Sequence, residues 1–419
     1  MDPAKEERFR REGHDRHEVE AHFARVLSDT HYALPDPPAS VDARLSSLLP
    51  HDGADRVSSL PDVLLGNIVS RLPILEAART AALSRRWRGV WRSTPLVLVD
   101  SHILPAGTVA GRAEARRVTS AVSRILLAHP GPFRCVHLTS SYMEEFQHLL
   151  TPWLHTLAAK GIQELVLFNR SVPARLPSPC HILRHDHPHP PPPRHVEIIG
   201  CSFEEISVVH APCLERFIYS GGWGFGAASN KMSIGHAPKL QLLGVIKVGA
   251  KASPSIMVPS VRILALEVCF GVRNDVKMIP TMLRCFPNIE TLHLMSAEAD
   301  QPSGKVNLKF WNESGTIECI RSCIKQLVFH YFKWGRSELA FLKFFLGSAL
   351  VLKEAVLVIA HTSFTSEEDL HSNVAPLGSM KRASAGSSIT VFINPKPEGD
   401  NMRRYKRSSE FSVGDPFAI

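Results

Sequence analysis

The chain has 419 residues, a net charge of +8 and a pI of about 9.1, with 44% hydrophobic and 7% aromatic residues. That length exceeds one ordinary domain, and the hydrophobic share is enough for most of the chain to bury a core. The positive balance reads as charge on solvated faces, and with few aromatics and no recognisable nucleic-acid module it does not call for a nucleic-acid partner. Residues 1–54 are charged and His-rich with no apolar signal-like stretch, and read as a flexible leader in which only Val19 to Leu27 has the pattern of a short helix. No run of about 18 apolar residues occurs, because the longest candidate, Phe341 to Ile359, is broken by Lys343, Lys353 and Glu354, so no membrane span is expected.

From Asp55 the character changes. Ser59, Pro61 and Asp62 open a helix: a hydroxyl for orphan amides, a proline suited to the first turn and a carboxylate at the positive end of the dipole. Leu60, Leu64, Leu65, Ile68, Val69 and Leu72 then recur at helical spacing as one apolar stripe, and Pro73 stops the helix. A second helix is expected over about Leu75 to Leu83. A third, about Ser84 to Trp91, carries Trp87, Val90 and Trp91 among Arg85, Arg86, Arg88 and Arg92. So few residues bury little surface alone, so the stripe needs another surface, either the rest of this chain or a partner.

Beyond Pro95 an L-x-x-L-x-L pattern appears: Ile162/Leu165/Leu167, Leu214/Phe217/Tyr219, Leu240/Leu243/Val245, Val261/Leu264/Leu266, Ile289/Leu292/Leu294 and Ile324/Leu327/Phe329, with a weaker copy at Val196, Ile198 and Cys201. Four copies begin with a proline just before the strand: Ala211-Pro, Ala237-Pro, Val258-Pro and Phe286-Pro. Steps between copies run 31, 21, 26, 21, 28 and 35 residues, the signature of a leucine-rich solenoid made irregular by insertions. The Pro/His-rich stretch at about 177–195 reads as a loop. An amphipathic helix is expected over Ser337 to Leu352, a buried strand over Glu354 to Ala360, an apolar patch at Ile389 to Ile393 and a disordered tail over 394–419.

Signals for chemistry are weak. His181, His185, His187, His189 and His195 lie in the Pro/His-rich stretch, which offers no fixed geometry for a metal. Cys319 and Cys323 have no companion ligands, and the eight cysteines, without a CxxC pair, read as reduced core thiols of an intracellular protein. Gly221 to Gly226 is glycine-rich but is not a phosphate loop, and the arginines around Trp87, with Arg112, Arg116, Arg117 and Arg124, read as solvated helix faces. No nucleophile-elbow, zincin or kinase motif is present. The chain is therefore expected to be no enzyme and to use no metal or cofactor.

Leu60-Pro61-Asp62, Leu64-Leu65, Ile68, Leu72-Pro73, Ala78-Arg79-Thr80, Leu83-Ser84-Arg85-Arg86-Trp87-Arg88 and Trp91 closely resemble the F-box of plant F-box proteins. The repeats, together with Ile324 to Phe329, the helix at Glu338-Leu339 and Leu352-Lys353-Glu354, resemble plant F-box/LRR/FBD-type proteins. The resemblance implies an α/β fold: a small three-helix F-box at 55–95, an irregular leucine-rich-repeat solenoid at 96–315 and an FBD-like α/β cap at 316–393. It implies a substrate-recognition adaptor of a cullin-based ubiquitin ligase, acting in ubiquitin-dependent degradation in the nucleus, the cytoplasm or both. Leu60, Pro61, Leu64, Leu65, Ile68, Leu72 and Leu83 would face a Skp-type adaptor, with cullin bound through it. Trp87 and Trp91 would be structural anchors, and the concave strand face would hold a target whose identity the sequence does not encode. Gly66 departs from a good helix interior, at roughly 0.5–1 kcal/mol relative to alanine. The alternative is a protein-binding scaffold or nuclear regulator outside the ligase.

Overall fold

The structure, a computed structural model, describes residues 38–39, 55–105, 112–139, 146–169, 175–176, 180–184, 193–203, 205–220, 231–249, 257–297, 303–359, 363–364, 366–393 and 410–418. Three helices lead: α1 (Asp62–Val69), α2 (Ile74–Thr80) and α3 (Arg85–Ser93). The caps differ from the sequence expectation. Pro61 is itself the N-cap of α1, and the Ser59 hydroxyl instead donates to the Arg56 carbonyl at 2.6 Å. Pro73 opens α2 rather than stopping α1, which has already ended at Val69. Of these three helices only α3 has a side-chain cap, Ser84, which accepts from the Trp87 amide at 3.2 Å.

The strands follow as β1 (Leu96–Val99), β2 (Phe133–Leu138), β3 (Glu164–Phe168), β4 (Arg175–Leu176), β5 (Cys180–Arg184), β6 (His195–Ile199), β7 (Ser202–Phe203), β8 (Glu205–His210), β9 (Arg216–Ser220), β10 (Lys231–His236), β11 (Leu242–Lys247), β12 (Ile263–Val268), β13 (Thr291–Ser296), β14 (Gln326–Phe332), β15 (Glu354–Ile359) and β16 (Ser388–Ile393). Eleven of them form one sheet in the order β1-β2-β3-β6-β9-β11-β12-β13-β14-β15-β16. Neighbours pair in parallel throughout, so each strand stacks on its predecessor as in a solenoid.

The proline at the start of four copies has a local reason. Leu214, Leu240 and Val261 each donate back to the residue three earlier, Ala211, Ala237 and Val258, closing a turn with proline at its second position. Both ends of each turn are buried, so the turn delivers the first core residue of the repeat and fixes the register of the strand behind it.

Connections return over one face of the sheet. Helices do this for α4 (Arg112–Ala128), α5 (Gln147–Ala159), α6 (Arg273–Arg284), α7 (Leu308–Glu313), α8 (Glu318–Ser322), α9 (Arg336–Ser348) and α10 (Glu367–Gly378). In the middle of the chain the returns are strands, paired as β10-β8-β5 and β4-β7. The expected loop at 177–195 is accordingly strand at Cys180–Arg184 and again from His195, while most of the remainder lies outside the described residues. One core runs the length of this side, from Leu65 and Val69 in α1 through Leu165, Leu264 and Leu327 in the sheet to Phe341 and Leu346 in α9. Alternate strand residues face the opposite side, which carries no helix among the described residues and is called the helix-free side below.

That side is partly covered by two segments from outside the repeats. Ala39, from the expected flexible leader, is buried against Val97, Val99 and Cys135. Residues 410–418, from the expected disordered tail, pack near the middle of the sheet. Their own sequence is short and polar-interrupted, and what orders them is an apolar surface made elsewhere. The helix expected over Val19 to Leu27 and the glycine-rich Gly221 to Gly226 lie outside the described residues.

Candidate functional site

Two surfaces present chemistry. The first is the three-helix unit. Of the residues expected to face an adaptor, Leu65 and Leu72 are buried in the common core and Leu60 packs at its edge. Pro61 is exposed, as are Leu64 at 48%, Ile68 at 37% and Leu83 at 62%. Val63 at 77% and Leu75 at 46%, which helical spacing did not single out, lie open beside them. Helical spacing groups these residues as a single stripe, whereas the folded unit points them both inward and outward.

Trp87 and Trp91, the expected structural anchors, both make contacts within or next to this unit. The Trp87 indole is buried and donates to Ser58 Oγ at 2.8 Å. Trp91 meets His129 edge-on, with ring centres 5.0 Å apart, and so ties α3 to the first repeat. Arg86, read from sequence as a solvated charge, clamps α3 onto the start of α1. Its Nε donates to Asp62 Oδ1 at 2.8 Å, and its other nitrogens donate to the carbonyls of Ser58 and Leu60. A cleft of about 720 Å³ opens between α1, α3 and the first strands, lined by Asp62, Gly66, Arg85, Gly89 and Arg134.

The second surface is the helix-free side of the sheet. Val166, Phe168, Ile199, Ile218, Leu242, Val245, Ala265 and Met295 form an apolar floor there with Phe417 inserted into it. Around it lie polar groups. Arg216, almost fully buried on β9, donates to the carbonyls of Glu410 at 3.1 Å and Val413 at 2.6 Å. Burial draws its pKa below the ordinary arginine value, against the pull of Glu215 and Asp415. His293 on β13 stacks on His330 of β14 and donates from Nε2 to Asp415 Oδ2 at 2.9 Å. Burial would raise the Asp415 carboxyl, but the hydrogen bond and charge of His293 outweigh it and hold the group below its usual range.

Near the other end of this side, Cys135, His137 and Glu164 bring their ligand-type atoms within 4.8 Å of one another. The spacing Cys135-x-His137, with a carboxylate one strand away, was missed because strand pairing, not sequence proximity, brings it together. The thiol donates to Glu164 Oε1 at 3.4 Å, and His137 Nε2 hydrogen-bonds to the same carboxylate oxygen at 2.9 Å. Burial, reinforced by the Glu164 charge, pushes the Cys135 thiol up and favours its protonated form. Burial would raise the Glu164 carboxyl too, but His137 outweighs it and keeps it low. These donors satisfy one another as they stand, and a tetrahedral zinc site would ask for a fourth. Elsewhere Cys319 is buried, with burial and its neighbour Cys323 pushing its thiol up to about 12. His195 is fully buried beside Glu197, at 3.4 Å. His185, His187 and His189 lie outside the described residues, and of His181 only the backbone, in β5, is described.

Among the described residues no helix is long and apolar enough to cross a membrane. Three family models match the chain: the F-box domain at residues 57–98, the LRR repeats of FBD-associated F-box protein At5g56370 at 191–294, and FBD at 312–357. The chain is 33% identical to F-box/FBD/LRR-repeat protein At2g04230 of Arabidopsis thaliana, over 27% of this chain and 25% of that protein. It is 32% identical to F-box/FBD/LRR-repeat protein At1g13570 of the same plant, over 28% of this chain and 27% of the other. A shorter match, 54% identical, covers 11% of this chain and 10% of F-box/FBD/LRR-repeat protein At5g22700, also from Arabidopsis thaliana. The matched part spans about a quarter of the length of the first two relatives. No solved structure matches the chain. With an F-box ahead of leucine-rich repeats and an FBD segment behind them, the chain is a plant F-box/LRR/FBD protein.

Proposed function

We propose that this protein is a substrate-recognition adaptor of a Skp–cullin ubiquitin ligase and carries out no chemistry itself. The observation that supports the reading is the exposed apolar set on the F-box: Val63, Leu64, Ile68 and Leu83, next to Pro61 and the edge of Leu60. Large side chains left open on so small a unit are unfavourable unless a partner covers them, and fully burying a Leu or Ile is worth about 1.5–3 kcal/mol. A few such residues support micromolar or tighter binding after the cost of association. Leu65 and Leu72 then act indirectly, by holding the helices that present this set. The F-box occupies about 55–95, the repeats run to about 315, and the FBD-like part caps them to about 393. On this reading the helix-free side of the repeats holds the protein to be ubiquitinated, in the nucleus or cytoplasm.

The test is co-purification of a Skp adaptor and cullin with the full chain and with Leu64→Glu/Ile68→Glu. Both positions are exposed, so the variant should fold while losing most adaptor binding. A wild-type chain that does not bind the adaptor would sink the proposal. Adaptor binding without cullin would favour a scaffold outside the ligase.

A further inference from the structure

The segment 410–418 lies on the helix-free side as a ligand would. It adds no strand to the sheet. Within it the Val413 amide donates to the Glu410 carbonyl and the Ala418 amide to the Asp415 carbonyl, closing internal turns. Attachment is by anchors. The Phe411 ring lies against two guanidinium groups, with Arg194 Cζ 4.4 Å and Arg216 Cζ 4.7 Å from its centre. Arg216 also holds the Glu410 and Val413 carbonyls, and His293 holds Asp415. Phe417 is completely buried in the apolar floor. It sits over Gly244, where a Cβ would come within 2.6 Å of the Phe417 ring. The seat thus combines an apolar pocket with a few convergent polar groups, the usual make-up of a ligand site.

We propose that this groove is a peptide-binding site for chains bearing an aromatic residue, an acidic residue four positions on and a second aromatic two beyond that. The C-terminal segment, through Phe411, Asp415 and Phe417, is then its resident occupant, displaced by a partner of the same chemistry. The inference rests on the reading of this side as the target surface and adds what the target must carry. Being in the same chain, with residues 394–409 between it and the sheet, the occupant competes at high effective concentration. Free groove is therefore scarce in the wild type, and an incoming motif binds more weakly than it would to an empty groove.

The experiment uses a fluorescein-labelled peptide of residues 409–419 and the full-length chain. Phe417→Ala, which removes the main anchor in cis, should bind the peptide saturably and at least ten-fold more tightly than the wild type. Adding Arg216→Ala to that variant should abolish binding, as should Phe417→Ala in the peptide. A folded Phe417→Ala chain that binds the peptide no better than the wild type overturns the proposal. Should Phe417→Ala not fold, hydrogen exchange of the wild type decides. Amides of 410–418 should exchange at least ten-fold faster than those of β11 to β13, and exchange only with global unfolding would make the segment a fixed part of the fold and overturn the proposal. The peptide assay contains no Skp adaptor. A chain that binds the adaptor but not the peptide removes this inference alone, and one that binds the peptide but not the adaptor removes the ligase reading alone.

Discussion

At Ser84 one hydroxyl secures the helix that joins the F-box to the repeats, since its Oγ takes the Trp87 amide that helix geometry leaves without a partner. Ser84→Ala should cost about 1 kcal/mol, within a usual range of roughly 0.5–2. Hydrogen exchange should show it as faster exchange of the α3 amides, by about five-fold, with β12 to β14 unchanged. An unaltered α3 would mean that Trp87 and Arg86 alone hold it. Gly66 shows why one residue can mislead. Its sequence context gives only a helix penalty, but a Cβ there would meet Thr94 Oγ1 at 3.3 Å. The missing side chain lets α1 approach the end of α3, and that benefit is invisible in a linear reading.

The C-terminal elements are held by aromatic packing. Phe341 of α9 is fully buried, edge-on to Trp311 at 5.0 Å between ring centres, and also touches Phe345 at 5.7 Å and Phe270 and Phe329 at 6.3 Å. Phe341→Ala should therefore destabilise the chain by about 3–5 kcal/mol in urea unfolding. A loss under about 1 kcal/mol would mean that the neighbours close the gap. These elements were legible because their apolar residues recur at helix or strand spacing, as did the repeats led by Leu240, Val261 and Ile289. β1 and β2 escaped notice because Leu96 to Val99 is a continuous apolar run and Phe133 to Leu138 has a different spacing. The strand returns β5, β8 and β10 were hidden for another reason. Their inward residues Ile206, Val208, Met232 and Ile234 are buried by stacking on one another's strands and on the sheet, a partnership that no single segment announces.

Across the whole molecule the least legible feature is the contact between the chain's end and its middle. His293 and Asp415 are 122 residues apart. Nothing local in Phe411 to Phe417 foretells a floor built from β3, β6, β9, β11, β12 and β13. The contact has a pH signature. The Asp415 carboxyl is held below its ordinary value of 3.8, because His293, the Phe417 amide and Arg216 outweigh the burial that would raise it. A depressed folded-state pKa means that the ionised group stabilises the docked segment above about pH 3.8, and that this contribution fades as pH falls through the lower folded value. Asp415→Asn should be less stable than the wild type at neutral pH, and the gap between the two should close as the solution is acidified past that range. Comparing the pair at each pH cancels the titration of the other carboxylates. Urea unfolding of both proteins across the acid range checks the point. A gap that keeps its full size at the acid end would show that Asp415 contributes shape to the groove and that its charge is dispensable.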